Sequence, residues 1–214
     1  MPHGDGPRHV KIGALALLLF FLAPAVWAGE QVVMTFGDSL TAGYGLPAAD
    51  GFVAQLQAAL RQRGREVVVR NGSVSGDTTS GGRARLAWTL SGQVDLVILE
   101  LGANDGLRGV DPGVTRANLD AILATLNRAR IPVLLAGMLA PPNLGPEYGK
   151  AFNAIYSELA RRHGVRLYPF FLDGVAAKPG LNQHDGLHPN KAGVKVIVAA
   201  MTPYVLDLLD RRMK

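Results

Sequence analysis

The sequence predicts a three-layer α/β/α sandwich built on a five-stranded parallel sheet. Three observations lead there: five short, nearly continuous apolar runs, longer segments of helical period between them, and polar motifs just after the runs. Runs of that kind read as strands covered on both faces, and helices alternating with them force crossovers that keep neighbouring strands parallel. The loops after the strands then gather on one edge of the sheet, where open α/β sheets bind ligands.

In chain order, the strands are read at residues 32–36, 67–69, 96–101 and 133–139, and more weakly at 165–168. Residues 52–63 form the first helical segment, stopped by Gly64, which suits a left-handed C-terminal cap. Asp111 and Pro112 offer a cap and a first-turn proline for a helix that reaches Arg130. Residues 148–163, closed by Gly164, and residues 192–209 complete the set. No repeat, low-complexity tract or linker argues for a second domain.

Arg8 and Lys11 precede an apolar run at residues 12–26, and Val26-Trp27-Ala28 closes it with a small residue. Residues 1–28 are therefore read as a cleaved secretory signal, the run being short of the about 20 residues that span a bilayer. The remaining residues 29–214 make one domain, periplasmic or secreted and without a stable membrane anchor. The chain holds 22 Lys and Arg against 17 Asp and Glu, and losing Arg8, Lys11 and Asp5 lowers its net charge from +5 to +4. The basic residues are dispersed without interleaved aromatics, so no nucleic-acid surface is expected. With no Cys in the chain, a thiol nucleophile, thiolate metal site, disulfide framework and acylated lipoprotein cysteine are all excluded.

Gly37-Asp38-Ser39-Leu40-Thr41-Ala42-Gly43-Tyr44-Gly45 sets a serine at a strand-to-helix turn, where the helix N-terminus favours developing negative charge. A serine hydroxyl needs a base, and an imidazole held by a carboxylate supplies one near neutral pH. Of five histidines, His3 and His9 leave with the leader, and His163 sits where a cationic side chain complements a helix C-terminus. His188 lies three residues after Asp185 and can fold back onto it, which leaves its other ring nitrogen for Ser39. His184 points elsewhere if Asp185 bonds His188, and Asp38 reads as a turn or capping acid. Asp185 and His188 could instead be two metal ligands, but no Cys or further well-spaced His would complete a zinc site. Ser39, His188 and Asp185 are thus the candidate nucleophile, base and orienting acid. The Ser39 amide, the Gly76 amide and the Asn104 carboxamide are the candidate donors to an oxyanion.

The blocks that carry these residues, together with Ser75-Gly76-Asp77-Thr78, Leu101-Gly102-Ala103-Asn104-Asp105-Gly106-Leu107-Arg108-Gly109 and Asp185-Gly186-Leu187-His188-Pro189, resemble the SGNH or GDSL hydrolase superfamily. The likeness is to its bacterial thioesterase, lysophospholipase and arylesterase branch. It implies a flavodoxin-like fold, those same roles, and hydrolysis of ester or thioester bonds of small acyl substrates, lysophospholipids among them, with no cofactor. It also points to residues 138–145 as a mobile loop closing over acyl chains, the alternative being a simple strand-to-helix connection; Leu107, Met138, Leu139, Leu144 and Leu187 could form an apolar wall for an acyl group or equally belong to the core. An O-deacetylase of carbohydrate or peptidoglycan, an acyltransferase and a non-enzymatic binding protein remain the alternatives. Oligomeric state is not readable from the sequence.

Overall fold

The computed structural model describes residues 1, 3, 4 and 30–212. The expected signal at residues 1–28 therefore falls, but for residues 1, 3 and 4, outside the described residues. Five strands, β1 (Gln31–Gly37), β2 (Val67–Asn71), β3 (Leu96–Glu100), β4 (Val133–Ala136) and β5 (Arg166–Tyr168), form one sheet of order β2-β1-β3-β4-β5 with every pair parallel. The connections reverse direction at β1. In this order the topological switch point lies between β1 and β3, where a crevice opens beyond the strand C-termini.

Two short helical turns stand in that crevice, α1 (Ser39–Ala42) after β1 and, after β3, another at Ala103–Leu107. Between them in the chain come α2 (Phe52–Arg61) and α3 (Thr79–Thr89); calling the second turn α4, the later helices are α5 (Pro112–Arg128), α6 (Pro146–His163) and α7 (Lys191–Arg212). Helix α2 packs on α7, whereas α3 packs on α5 and α5 on α6. Right-handed crossovers running opposite ways from β1 put these two groups on opposite faces, giving the three layers. Val33, Phe36, Leu96, Ile98 and Leu99 are fully buried between them. Helix α7 is apolar and long, but Ile197, Met201, Val205 and Leu209 spend its apolar face on this core.

Most elements fall within a few residues of the expected bounds; β4 falls shortest, and α3 is a helix for which no bounds were expected. β4 stops at Ala136 rather than at residue 139 because the ladder slips there: Gly137 N still donates to Tyr168 O at 2.8 Å, but Gly137 O accepts from Phe171 N at 2.8 Å, one residue beyond the regular partner. Helix α3 has no apolar period to announce it: only Leu86 among its long side chains is buried, and Gly81 and Gly82 lie in its first turn. It forms because its first turn is held from outside. The Thr78 hydroxyl accepts from Gly81 N at 3.3 Å, and Asp105 accepts from Thr79 N at 2.9 Å. Gly82 also lies so close to Leu101 that a β-carbon would clash with it. Tertiary contact here overrides a poor local propensity.

Candidate active site

Ser39 follows β1 directly, and its backbone is fixed by the residue before it. Asp38 caps α1 by accepting from Leu40 N at 3.0 Å, and Gly43 ends the turn in the left-handed region at φ 84°. The Ser39 hydroxyl stands 2.8 Å from His188 Nε2, and His188 Nδ1 stands 2.6 Å from Asp185 Oδ2. The other Asp185 oxygen accepts from the backbone N–H groups of Leu187 and His188, at 2.9 and 3.0 Å. Led by the His188 N–H, these bonds hold the Asp185 carboxyl down at about 2, so it stays ionised throughout the neutral range.

The loop bearing this pair is strapped across to the serine turn. Gln183 N donates to His188 O at 2.7 Å, while Gln183 Nε2 donates to Tyr44 O at 2.8 Å and to Pro189 O at 3.1 Å. The Tyr44 ring packs tilted against the His188 ring, 4.7 Å between centroids. His184 lines a neighbouring hollow instead. His163 ends α6 as expected, with its Nε2 2.6 Å from Asp120 Oδ1 on α5.

Gly76 and Asn104 come from the loops after β2 and β3 and border the same cavity as Ser39 and His188, about 570 Å³ in volume. Gly76 has φ 81°, a conformation open to glycine, its carbonyl accepts from Arg108 Nη2 at 3.0 Å, and a β-carbon there would meet nothing within 4 Å among the described residues. Asn104 Nδ2 donates to Asp38 Oδ2 at 3.1 Å, which uses one of its two hydrogens and leaves the other without an acceptor among the described residues.

Four of the five expected wall residues border the cavity: Met138 buried at its floor, and Leu107, Leu139 and Leu187 about half exposed. Leu144 does not. The 3-10 turn at Pro142–Leu144 carries its side chain away, to within 3.8 Å of where a Gly109 β-carbon would stand. Tyr44, Pro141, Pro142, Phe170 and Leu172 line the cavity in addition. Phe170 and Leu172 follow β5, and the rule that loops after strands converge applies to that strand as to the other four.

Two carboxyls beneath the site were not foreseen as a pair. Asp38 and Glu100 are both fully buried, and Asp38 N donates to Glu100 Oε2 at 3.3 Å. Burial pushes the Asp38 carboxyl up to about 6, against hydrogen bonds from Leu40 and Asn104. Burial, and then the charge of Asp38, push Glu100 well above the usual carboxylate range. A carboxyl raised in this way keeps a proton that the unfolded chain sheds, so its contribution to stability falls as pH rises above the ordinary carboxylate range. Glu100→Gln removes that dependence. Urea unfolding at pH 5, 6 and 7 is expected to show the variant gaining on the wild type as pH rises; parallel curves would contradict a protonated Glu100.

A hydroxyl, an imidazole and a carboxylate in one hydrogen-bonded row, beside backbone and side-chain amides, make up the apparatus of a serine hydrolase. Residues 35–196 match the GDSL-like lipase/acylhydrolase family, and the chain belongs to it as a serine ester hydrolase. It is 42% identical over 179 residues to an arylesterase of Vibrio mimicus, covering 83% of this chain and 90% of that one. To the thioesterase 1/protease 1/lysophospholipase L1 of Escherichia coli K12 it is 40% identical over 207 residues, covering 96% and 92%. The crystal structure of TesA superposes with a TM-score of 0.79 at 40% identity, over 83% of this chain and 99% of the other.

Proposed function

We propose that the protein hydrolyses carboxylic esters and thioesters of acyl substrates by way of an acyl-enzyme on Ser39. The observation that supports this most is the row of 2.8 and 2.6 Å contacts from Ser39 through His188 to Asp185, opening on an apolar cavity. His188 Nε2 takes the hydroxyl proton as Ser39 Oγ attacks the carbonyl carbon. The oxyanion so formed receives hydrogen bonds from Ser39 N, Gly76 N and Asn104 Nδ2. His188 then returns the proton to the leaving alcohol or thiol, and water repeats the attack on the acyl-enzyme with His188 again as base. Asp185, ionised, steadies the imidazolium between the two steps.

Substrate class follows from the cavity wall. Met138, Leu139, Leu107 and Leu187 offer apolar contact to an acyl chain and no cation for an acidic one. The names of the two curated relatives support aryl esters, acyl thioesters and lysophospholipids as the substrates to assay first. A series of p-nitrophenyl esters, acyl-CoA thioesters and lysophospholipids, run on one preparation, is expected to give higher kcat/KM for octanoyl than for acetyl chains. Turnover confined to acetyl groups would reassign the cavity to O-deacetylation.

Asn104→Ala is expected to lower kcat roughly 10²- to 10³-fold, the cost of one oxyanion donor. An unaltered kcat would remove Asn104 from that role. Export is part of the same proposal, resting on the basic start, the apolar run and the small-residue end of residues 1–28. N-terminal sequencing of the protein from a periplasmic fraction should begin at Gly29.

A further inference from the structure

We propose that Asp38 and Glu100 act together as positioning residues, one carboxyl charged and the other protonated, to set the orientation of the Asn104 carboxamide. This rests on the reading of Asn104 as an oxyanion donor.

The orientation argument is one of donors and acceptors. An ionised Asp38 can only accept, so the side-chain atom of Asn104 that stands 3.1 Å from Asp38 Oδ2 must be its nitrogen. Were Asp38 neutral, its hydroxyl could donate to Asn104 Oδ1 instead, and the carboxamide could turn over and carry Nδ2 off its place. A charged Asp38 buried this deeply needs a neutral neighbour, and Glu100 is the neighbour.

Counting hydrogens gives the same assignment for Glu100. A chain of contacts runs from Arg70 O to Thr35 Oγ1 at 3.4 Å, to Ser73 Oγ at 3.2 Å, to Thr41 Oγ1 at 2.8 Å and to Glu100 Oε2 at 3.0 Å. Those contacts need four hydrogens, and the hydroxyls of Thr35, Ser73 and Thr41 bring three, while Arg70 O only accepts. With an ionised Glu100, Thr41 donates to Oε2 and the Ser73–Thr41 contact is left without a hydrogen; a proton on Oε2 supplies the fourth and frees the Thr41 hydroxyl for Ser73. The other oxygen, Oε1, is buried without a partner among the described residues, a heavy cost for a carboxylate and a lighter one for a neutral acid. Gly37 completes the arrangement: a β-carbon there would fall against Thr41 Oγ1 and the Glu100 carboxyl, so only glycine lets this acid reach the Asp38 backbone.

The test is a double-mutant cycle of Asp38→Asn with Asn104→Ala, read as kcat and KM under saturating and limiting ester. In Asp38→Asn the new amide keeps its oxygen on Leu40 N and turns a donor toward Asn104 Nδ2, which drives the carboxamide over. The single variant is expected to lose about 10²-fold in kcat, as for a lost oxyanion donor, with KM held. In the Asn104→Ala background the same change has nothing left to orient, and kcat should move by no more than about twofold. An equal loss in both backgrounds, or a wild-type rate in the single variant, would overturn the proposal. A wild-type rate in Asn104→Ala alone would strike the oxyanion reading beneath it, so the two failures are distinct. Should Asp38→Asn not fold, Glu100→Leu and Glu100→Gln carry the test, with kcat lost in Leu and recovered in the neutral, hydrogen-bonding Gln; a Gln variant as slow as Leu would overturn the pairing.

Discussion

Replacing Ser39 by alanine is expected to lower kcat by on the order of 10⁴- to 10⁶-fold while the protein keeps its fold, since removing the nucleophile of a Ser-His-Asp unit leaves only binding and the oxyanion donors. The fold should survive because little rests on the hydroxyl: its contact is His188 Nε2, and α1 is held by the Asp38 cap and Gly43. KM for an ester substrate should change little, because the apolar wall is untouched. Circular dichroism and thermal unfolding of the variant, set beside its residual rate, separate lost chemistry from lost structure. A purified Ser39→Ala protein that hydrolyses esters near the wild-type rate would contradict the acyl-enzyme.

Asp185→Asn is expected to cost about 10⁴-fold in kcat near neutral pH, through the tautomer of His188 rather than through its position. The asparagine oxygen can still accept from Leu187 N and His188 N, so the loop keeps its shape. Its amide nitrogen then stands where Oδ2 met His188 Nδ1, and a donor there makes Nδ1 the acceptor and moves the ring hydrogen to Nε2. A protonated Nε2 facing Ser39 cannot take the hydroxyl proton. Because Asp185 is ionised in the native protein down to about 2, protonating it cannot explain an activity loss near pH 5. A mutant within tenfold of wild type at pH 7 would show that the His188 tautomer is not set by this residue.

The chemistry of the site was more legible in the sequence than the ground it stands on. Ser39, Asp185 and His188 could be paired from spacing and from the scarcity of histidine, and Gly76 and Asn104 from their place after successive strands. Those cues are local or topological, and topology was readable from the apolar runs. Alternation called for a helix between β2 and β3, but the bounds of α3 were not legible because its stability lies in Asp105 and in the contact of Gly82 with Leu101, partners far away in the chain. Leu144 was misplaced as cavity wall because a 3-10 turn decides which way it faces, and apolar character alone does not reveal that. The Asp38–Glu100 pair escaped for a related reason. Each acid alone reads as a turn residue or a strand end, and only the parallel pairing of Gly37 with Glu100 brings them together. Even so, Glu100 sits in the run Leu96 to Leu101 as its single charge, and a lone acid at the end of a buried strand is a cue that such a pairing can be sought.

The relay from Ser39 to Asp185 is tested most directly by trapping. Wild type, Ser39→Ala and Asp185→Asn are incubated with a fluorophosphonate, and adduct formation is followed by intact mass and located by peptide mapping. The expected result is a single adduct on Ser39 in the wild type, formed far more slowly in Asp185→Asn, and absent from Ser39→Ala. Ester hydrolysis by a wild-type protein that takes no label at Ser39 would contradict it.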